Sequence, residues 1–316
     1  MTHNNVTSSP GSPAGNSALV GALAAGFGYL WWGFSVVYYK ATMIYPIWEV
    51  LAHRPIWTLA LTFTVVLLMG RYEKLRAVLK DKKLMGRLFI TSMIIGSNWL
   101  VFNYAIYESR VMETSLGYYI NPLISVVLGV VLLSERLSRP QIASVLLAGC
   151  AVLTLTILQG SLPWISLYMA GSFAAYGYLR KVMPVGPLEG LVVEAMYLCP
   201  LAICYFVYAG GQDMLVFGHE GQSVSAMLLL IAIGPMTAIP LFAFTFGAQR
   251  IRLSTMGLMQ YIAPTTHFFL AIHYGEAFGT SHLIAFGLIW LALLIFSVDL
   301  FRQERRIQQS VKGGQG

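Results

Sequence analysis

Charge is what this chain has least of. Only 10% of its 316 residues are Asp, Glu, Lys or Arg, and 57% are apolar, whereas a soluble globular domain carries about 25% charged residues. So few polar side chains cannot cover a water-facing surface, and the mean hydropathy of +0.69 agrees. The chain reads as an integral membrane protein with room for roughly ten spans of about 20 residues. Cysteine is scarce as well. Cys150, Cys199 and Cys204 fall in apolar runs, odd in number and without a CxxC, which argues against a disulfide or thiolate–metal framework. The catalytic signatures HExxH and GxSxG, an acidic DDxxD-like cluster and the nucleotide loop GxxxxGK[ST] are all missing, so any transport must run on a gradient or by exchange. His267 and His273 are six apart, on different helix faces, and no metal or other cofactor is implied.

Residues 1–17 contain no Lys or Arg and are rich in Ser, Asn, Gly and Pro, the composition of a disordered lead. The apolar run that follows has no basic segment before it and is too long for a signal peptide, so it is expected to stay as a span. The expected spans are 18–38, 47–70, 88–107, 114–133, 141–158, 163–179, 189–208, 226–248, 254–274 and 282–301. With the N-terminus inside, the inside loops and the tail from residue 302 hold 17 of the 20 Lys and Arg, and the outside loops hold only Lys40 and Arg110. That bias predicts an N-in, C-in orientation. The net charge of +7 then reports topology, and no nucleic-acid partner is expected.

One pattern is written twice. Arg110 precedes Tyr119-Ile120-Asn121-Pro122 by nine residues, and Arg252 precedes Tyr261-Ile262-Ala263-Pro264 by nine. Glu135 and Glu276 follow the two prolines, and Gln141 and His282 come six residues after each acid. A weaker echo links LWWGFSVVYYK (30–40) with AAYGYLRK (174–181). The expected architecture is therefore all-α: ten transmembrane helices in two inverted five-helix repeats, 18–158 and 159–301, with a basic tail over 302–316. Five is odd, so the second half is inserted upside down, and a solute site is expected near the midplane between the halves.

The stretches LAHRPIW (51–57), GSNWLVFNYAI (96–106), SLGYYINPL (115–123) with LLSERL (132–137), LSTMGLMQYIAPT (253–265) and YGEAF (274–278) resemble the RarD family, in the EamA branch of the drug/metabolite transporter superfamily. The resemblance covers residues 18–305 and implies a multi-pass permease of a bacterial inner membrane. Members are labelled chloramphenicol-sensitivity or resistance permeases.

Ionisable residues inside apolar runs mark the candidate site, because a charge at membrane depth costs a few kcal/mol unless it faces protein or water. Glu49, His53 and Trp57 lie on one stripe of the second span, with Arg54 rotated about 100° away. His53 is a candidate proton carrier and Arg54 a fork for a carboxylate or phosphate. Glu49 and His53 are expected to line the outward half of a central cavity as proton-coupling or gating groups, with His53 and Trp57 also candidate solute ligands, and Glu49 has the alternative role of a structural clasp with Arg54 or Lys40. Glu194, on the pseudo-equivalent seventh span, is a candidate for proton coupling or for a gating pair with Arg54. Asn98, Asn103, Tyr118, Tyr119, Asn121, Gln260 and Tyr261 are candidate solute ligands, against the commoner role of holding helices together. Trp31 and Trp32 read either as solute-stacking or as interface residues. Glu135 and Glu276 read as structural caps. The partners implied are a small organic solute (an amino-acid-like metabolite or an amphipathic drug), protons and the bilayer. A lipid-directed membrane enzyme and a channel or sensor are the competing readings.

Overall fold

The computed structural model describes residues 15–133, 138–218, 222–248, 250 and 260–313. Its elements are helical: α1 (Gly15–Ala41), α2 (Ile47–Leu68), α3 (Tyr72–Lys80), α4 (Lys82–Tyr107), α5 (Val111–Leu133), α6 (Arg139–Gln159), α7 (Trp164–Val182), α8 (Pro187–Gly211), α9 (Val224–Ile231), α10 (Ile233–Ala248), α11 (Ile262–His273) and α12 (Thr280–Gly313). Seven spans among the described residues are long and apolar enough to cross a membrane: those built on α1, α2, α4, α6, α8, α9 with α10, and α12. Helices α5, α7 and α11 pack among them.

Three boundaries differ from expectation for local reasons. The loop expected over 71–87 contains α3, whose Leu75 is buried in a cluster with Val66, Leu84 and Leu88. Asp81 then caps α4 by accepting from Leu84 N at 3.0 Å, which starts that helix six residues early. The span expected over 226–248 is broken at Ala232, because Pro235 has no N–H to bond the carbonyl four residues back. The tail expected after residue 301 continues α12 to Gly313. Glu135 and the 251–259 part of the second repeat lie outside the described residues.

Polarity is arranged inside out. Leu146, Leu153, Ile157, Leu201, Val207 and Leu294 are exposed, whereas Glu49, Arg54, Asn98, Arg180, Glu194 and His267 are buried. Lipid has no hydrogen bonds to give, so these groups must find partners within the bundle. Small residues four apart on α1, Gly21 and Ala25, let another helix approach closely. Gly247 of α10 seats against Ala25 and the Gly21 carbonyl, where an added Cβ would lie 2.8 Å from each.

The helix pairings have a regular form. α2 packs on α8, α5 on α11 and α6 on α12; α1 meets α10 and α11, as α7 meets α4 and α5; α10 meets α2, as α4 meets α8. Exchanging α1 with α7, α2 with α8, α4 with α10, α5 with α11 and α6 with α12 maps this set of pairings onto itself. Helix ends gather at two levels. At the first, the Tyr107 hydroxyl lies 3.0 Å from the Thr42 carbonyl, and Glu276 accepts from Val111 N and Met112 N at the start of α5, at 2.9 and 2.8 Å. At the second, Ser138 donates to Asp299 at 2.6 Å, and Arg71 pairs with Glu189 at 2.8 Å.

Candidate functional site

Arg54 lines a small cavity among the helices. It sits two turns into α2, directly before Pro55, and only 5% of it is exposed. Its Nε donates to Thr237 Oγ1 of α10 at 2.9 Å. The guanidinium carbon lies 4.1 Å from the centre of the Trp99 ring and 5.2 Å from that of Tyr39, within the range of cation–π attraction. Among the described residues Nη1 has no hydrogen-bond partner, and no acid lies within ion-pair distance. The cavity beside it measures about 30 Å³, and Trp32, Ser35, Asn98, Phe102, Tyr118 and Phe173 complete its wall. That is room for a few waters, too little for an organic solute of many atoms. The wall is drawn from α1, α2, α4, α5, α7 and α10, which are elements of both halves.

A second buried cluster lies at the corresponding place on α8. Glu49 and Glu189 each occupy the third position of their helices, and Arg54 and Glu194 each follow by five residues. Glu194 accepts from Thr91 Oγ1 at 2.7 Å and Tyr176 OH at 3.1 Å, and lies 3.6 Å from Arg180 Nε. Arg180 in turn reaches the Pro187 carbonyl at 3.3 Å. Glu194 therefore pairs with Arg180, and the expected link to Arg54 is not formed. Arg180 stands before Lys181 at the end of α7, as Tyr39 stands before Lys40 at the end of α1. One half thus brackets the position with an aromatic and a cation, the other with a cation and an acid.

Each half also fastens the turn that leaves its partner. Glu49 accepts from Val216 N at 3.0 Å and Phe217 N at 2.7 Å, in the segment after α8. Glu189 pairs with Arg71, in the turn after α2. Glu49 is thus a clasp, but to backbone N–H groups and not to Arg54 or Lys40. Lys40 instead lies over the Tyr274 ring at 4.5 Å. The two fastenings stand at opposite ends of α2 and α8.

The remaining candidates divide into three places. Asn98 and Tyr118 line the Arg54 cavity, with the Asn98 amide nitrogen held by Met169 O and Ser172 Oγ. His53 and Trp57 lie off it. Trp57 Nε1 donates to His53 Nδ1 at 3.0 Å, while Phe206 and Phe217 press on the imidazole at 4.9 and 4.6 Å. Asn103 donates back to the Trp99 carbonyl within its own helix. Tyr119, Asn121, Gln260 and Tyr261 form a separate seam between α5 and the start of α11. Gln260 donates to Asn121 Oδ1 at 2.9 Å, Asn121 donates to Ala170 O at 2.9 Å, and Tyr119 stacks on Tyr261 at 6.3 Å. Tyr119 and Tyr261 border an apolar groove of about 420 Å³ with Phe268, Phe269 and Trp290, apart from the Arg54 cavity.

Several site residues were not singled out from the sequence. Arg180 and Tyr39 end apolar helices, where a cation reads as a loop charge and a tyrosine as an interface residue. Thr91, Tyr176 and Thr237 carry no signal of their own beyond being polar in apolar runs. Trp32 faces the cavity, and its carbonyl lies 3.0 Å from His267 Nε2.

Comparison with known proteins agrees with this architecture. The EamA-like transporter family matches residues 17–157. The chain is similar to protein RarD of Escherichia coli strain K12, 39% identical over 288 residues, covering 90% of this chain and 96% of the relative. It is also similar to an uncharacterized transporter of Vibrio cholerae, 37% identical over 91% of this chain and 95% of the relative. A chloramphenicol-sensitive protein RarD of Pseudomonas aeruginosa is 29% identical over 82% of this chain and 87% of the relative. One crystal structure superposes with a TM-score of 0.60 over 92% of this chain and 99% of its own, at 18% identity, a likeness of fold alone.

Proposed function

The chain belongs to the RarD family of EamA-like transporters and is a multi-pass inner-membrane protein, and from that premise we propose that it carries a small organic solute across the membrane by alternating access, with the Arg54 cavity as the cargo site. One observation carries the reading. A buried guanidinium with an unused N–H stands in an aromatic-walled cavity built by both halves of the bundle. A membrane-buried charge held this way serves a solute or ion path more often than packing.

The self-mapping helix pairings support ten spans in two inverted halves, an arrangement that lets each half adopt the other's conformation. In this reading the two fastenings are the gates. The Glu49 clasp on Val216 and Phe217 closes the end with few basic residues, and the Arg71–Glu189 pair closes the opposite, cytoplasmic end. Both are made here, so in this reading neither gate stands open. Arg180–Glu194 then couples the inner gate to α4 through Thr91, and its acid is the group placed to exchange a proton when the pair parts. Every step is a change of partner by groups of this chain; no covalent chemistry is required.

The test is counterflow into liposomes holding the purified protein. A carrier gives saturable uptake that is stimulated by the same solute on the far side, and Arg54→Gln weakens it by about 10- to 100-fold. Conductance steps without saturation or trans-stimulation would refute a carrier in favour of a channel.

A further inference from the structure

Resting on the carrier reading above, we propose that the solute of the Arg54 cavity is a small flat monoanion, an aromatic carboxylate in chemical class, and not a zwitterion. The argument is one of charge balance. At the two equivalent positions the second half holds an acid and a base in contact, Glu194 and Arg180. The first half holds Arg54 with Tyr39, and among the described residues no acid within ion-pair reach. A buried cation without a counterion is strongly unfavourable, and the ring faces of Trp99 and Tyr39 offset only part of that. A carboxylate arriving as cargo supplies the missing charge and accepts from Nη1, the N–H the protein leaves unused.

The same inventory rejects a second charge. No other residue on the cavity wall is charged: its hydroxyl, amide and indole groups belong to Ser35, Tyr39, Tyr118, Asn98, Trp32 and Trp99. Ser35 already donates to the Trp32 carbonyl, and the Asn98 amide nitrogen is held by α7. An ammonium beside Arg54 would lose its water and meet a like charge. The acid that a zwitterion needs is Glu194, but Glu194 is bound to Thr91, Tyr176 and Arg180. The walls set the shape. Trp32, Tyr39, Trp99, Phe102, Tyr118 and Phe173 present rings on several sides, and such walls favour a flat apolar body over a branched polar one.

The test uses three solutes on one skeleton: 3-phenyllactate (an anion), phenylalanine (a zwitterion) and 3-phenyllactamide (neutral). The full chain is reconstituted, and counterflow of each is measured beside thermal stabilisation of the protein in detergent. The expected result is saturable counterflow and stabilisation by phenyllactate, at about tenfold or more lower concentration than for the other two. Arg54→Gln should weaken the phenyllactate response by about 10- to 100-fold, and Arg54→Lys by less. Thr237→Val, which removes only the partner of Nε, should weaken it a few-fold and serves if Arg54→Gln does not fold. Equal or better transport of phenylalanine or the amide would overturn the inference and leave the carrier reading standing. Phenyllactate transport indifferent to Arg54→Gln and Thr237→Val would overturn the inference and the Arg54 cavity as cargo site together, with carrier activity itself still standing. Silence from all three solutes overturns the inference too. A wider pool of amino acids, acids and neutral drugs then judges the carrier reading separately, since counterflow of any of them sustains it and counterflow of none removes it.

Discussion

Replacing Glu194 with glutamine should cost the bundle about 3–5 kcal/mol of stability. The side chain is 1% exposed and Arg180 is 5% exposed, so neither charge has water to fall back on. Glutamine keeps the volume but not the charge. Its amide oxygen can accept from Thr91 or from Tyr176, now 2.7 and 3.1 Å from the two carboxylate oxygens, but its amide nitrogen cannot accept at all. Arg180 is left buried without its nearest acid, and among the described residues its Nε and Nη1 have no hydrogen-bond partner even in the intact protein. Breaking a buried pair from one side costs about 3–5 kcal/mol, whereas a single neutral bond between membrane helices is worth about 1 kcal/mol. The assay is the free energy of unfolding in mixed micelles for wild type, Glu194→Gln, Arg180→Met and the double variant. The double should be more stable than Glu194→Gln alone, because it removes the stranded cation as well as the acid. A single variant within about 1 kcal/mol of wild type, with strict additivity in the double, would refute the claim that the two charges hold each other.

Three further outcomes follow from the same geometry. Glu49→Gln removes the charge from the hydrogen bonds to Val216 and Phe217 and should release the segment after α8. Hydrogen exchange at residues 214–218 should rise while the bundle's exchange stays unchanged. Gly190→Ala would put a methyl group into the Arg180 guanidinium. It should destabilise by about 1–3 kcal/mol, with no added loss when combined with Arg180→Met. Glu276→Gln weakens the carboxylate that receives the first two N–H groups of α5. Lost N-terminal caps cost about 1 kcal/mol, measured as a matching fall in unfolding free energy with transport retained.

Much of the site was legible because a membrane makes every buried charge conspicuous. Arg54 and Glu194 stood out as ionisable residues in apolar runs, and the 100° turn between His53 and Arg54 already placed them on different faces. Composition and the distribution of Lys and Arg likewise pointed to a many-span bundle. What the sequence hid was partnership. Arg180 sits next to Lys181 at the end of a helix and so looked like a loop cation, yet it is folded back over Gly190 to meet Glu194 from another helix. The partners of Glu49 are backbone N–H groups in an irregular segment, and no residue type announces those. Tyr119, Asn121, Gln260 and Tyr261 share the repeat with cavity residues but meet one another across α5 and the start of α11, through the Gln260–Asn121 hydrogen bond and the Tyr119–Tyr261 ring pair. Helix α3 did leave a trace, since Leu75, Val78 and Leu79 recur at helical spacing within a charged stretch.

The central claim is that the two ends of the Arg54 cavity open in turn. Ser35 lines that cavity and is buried, so Ser35→Cys, with Cys150, Cys199 and Cys204 replaced, reports access to it by a membrane-impermeant thiol reagent added to one side at a time. The account predicts slow labelling from both sides in the closed protein. Glu49→Gln should then quicken labelling from the Glu49 end alone, and Glu189→Gln from the opposite end alone. Fast labelling from both sides at once, or equal effects of each variant on both sides, would contradict it.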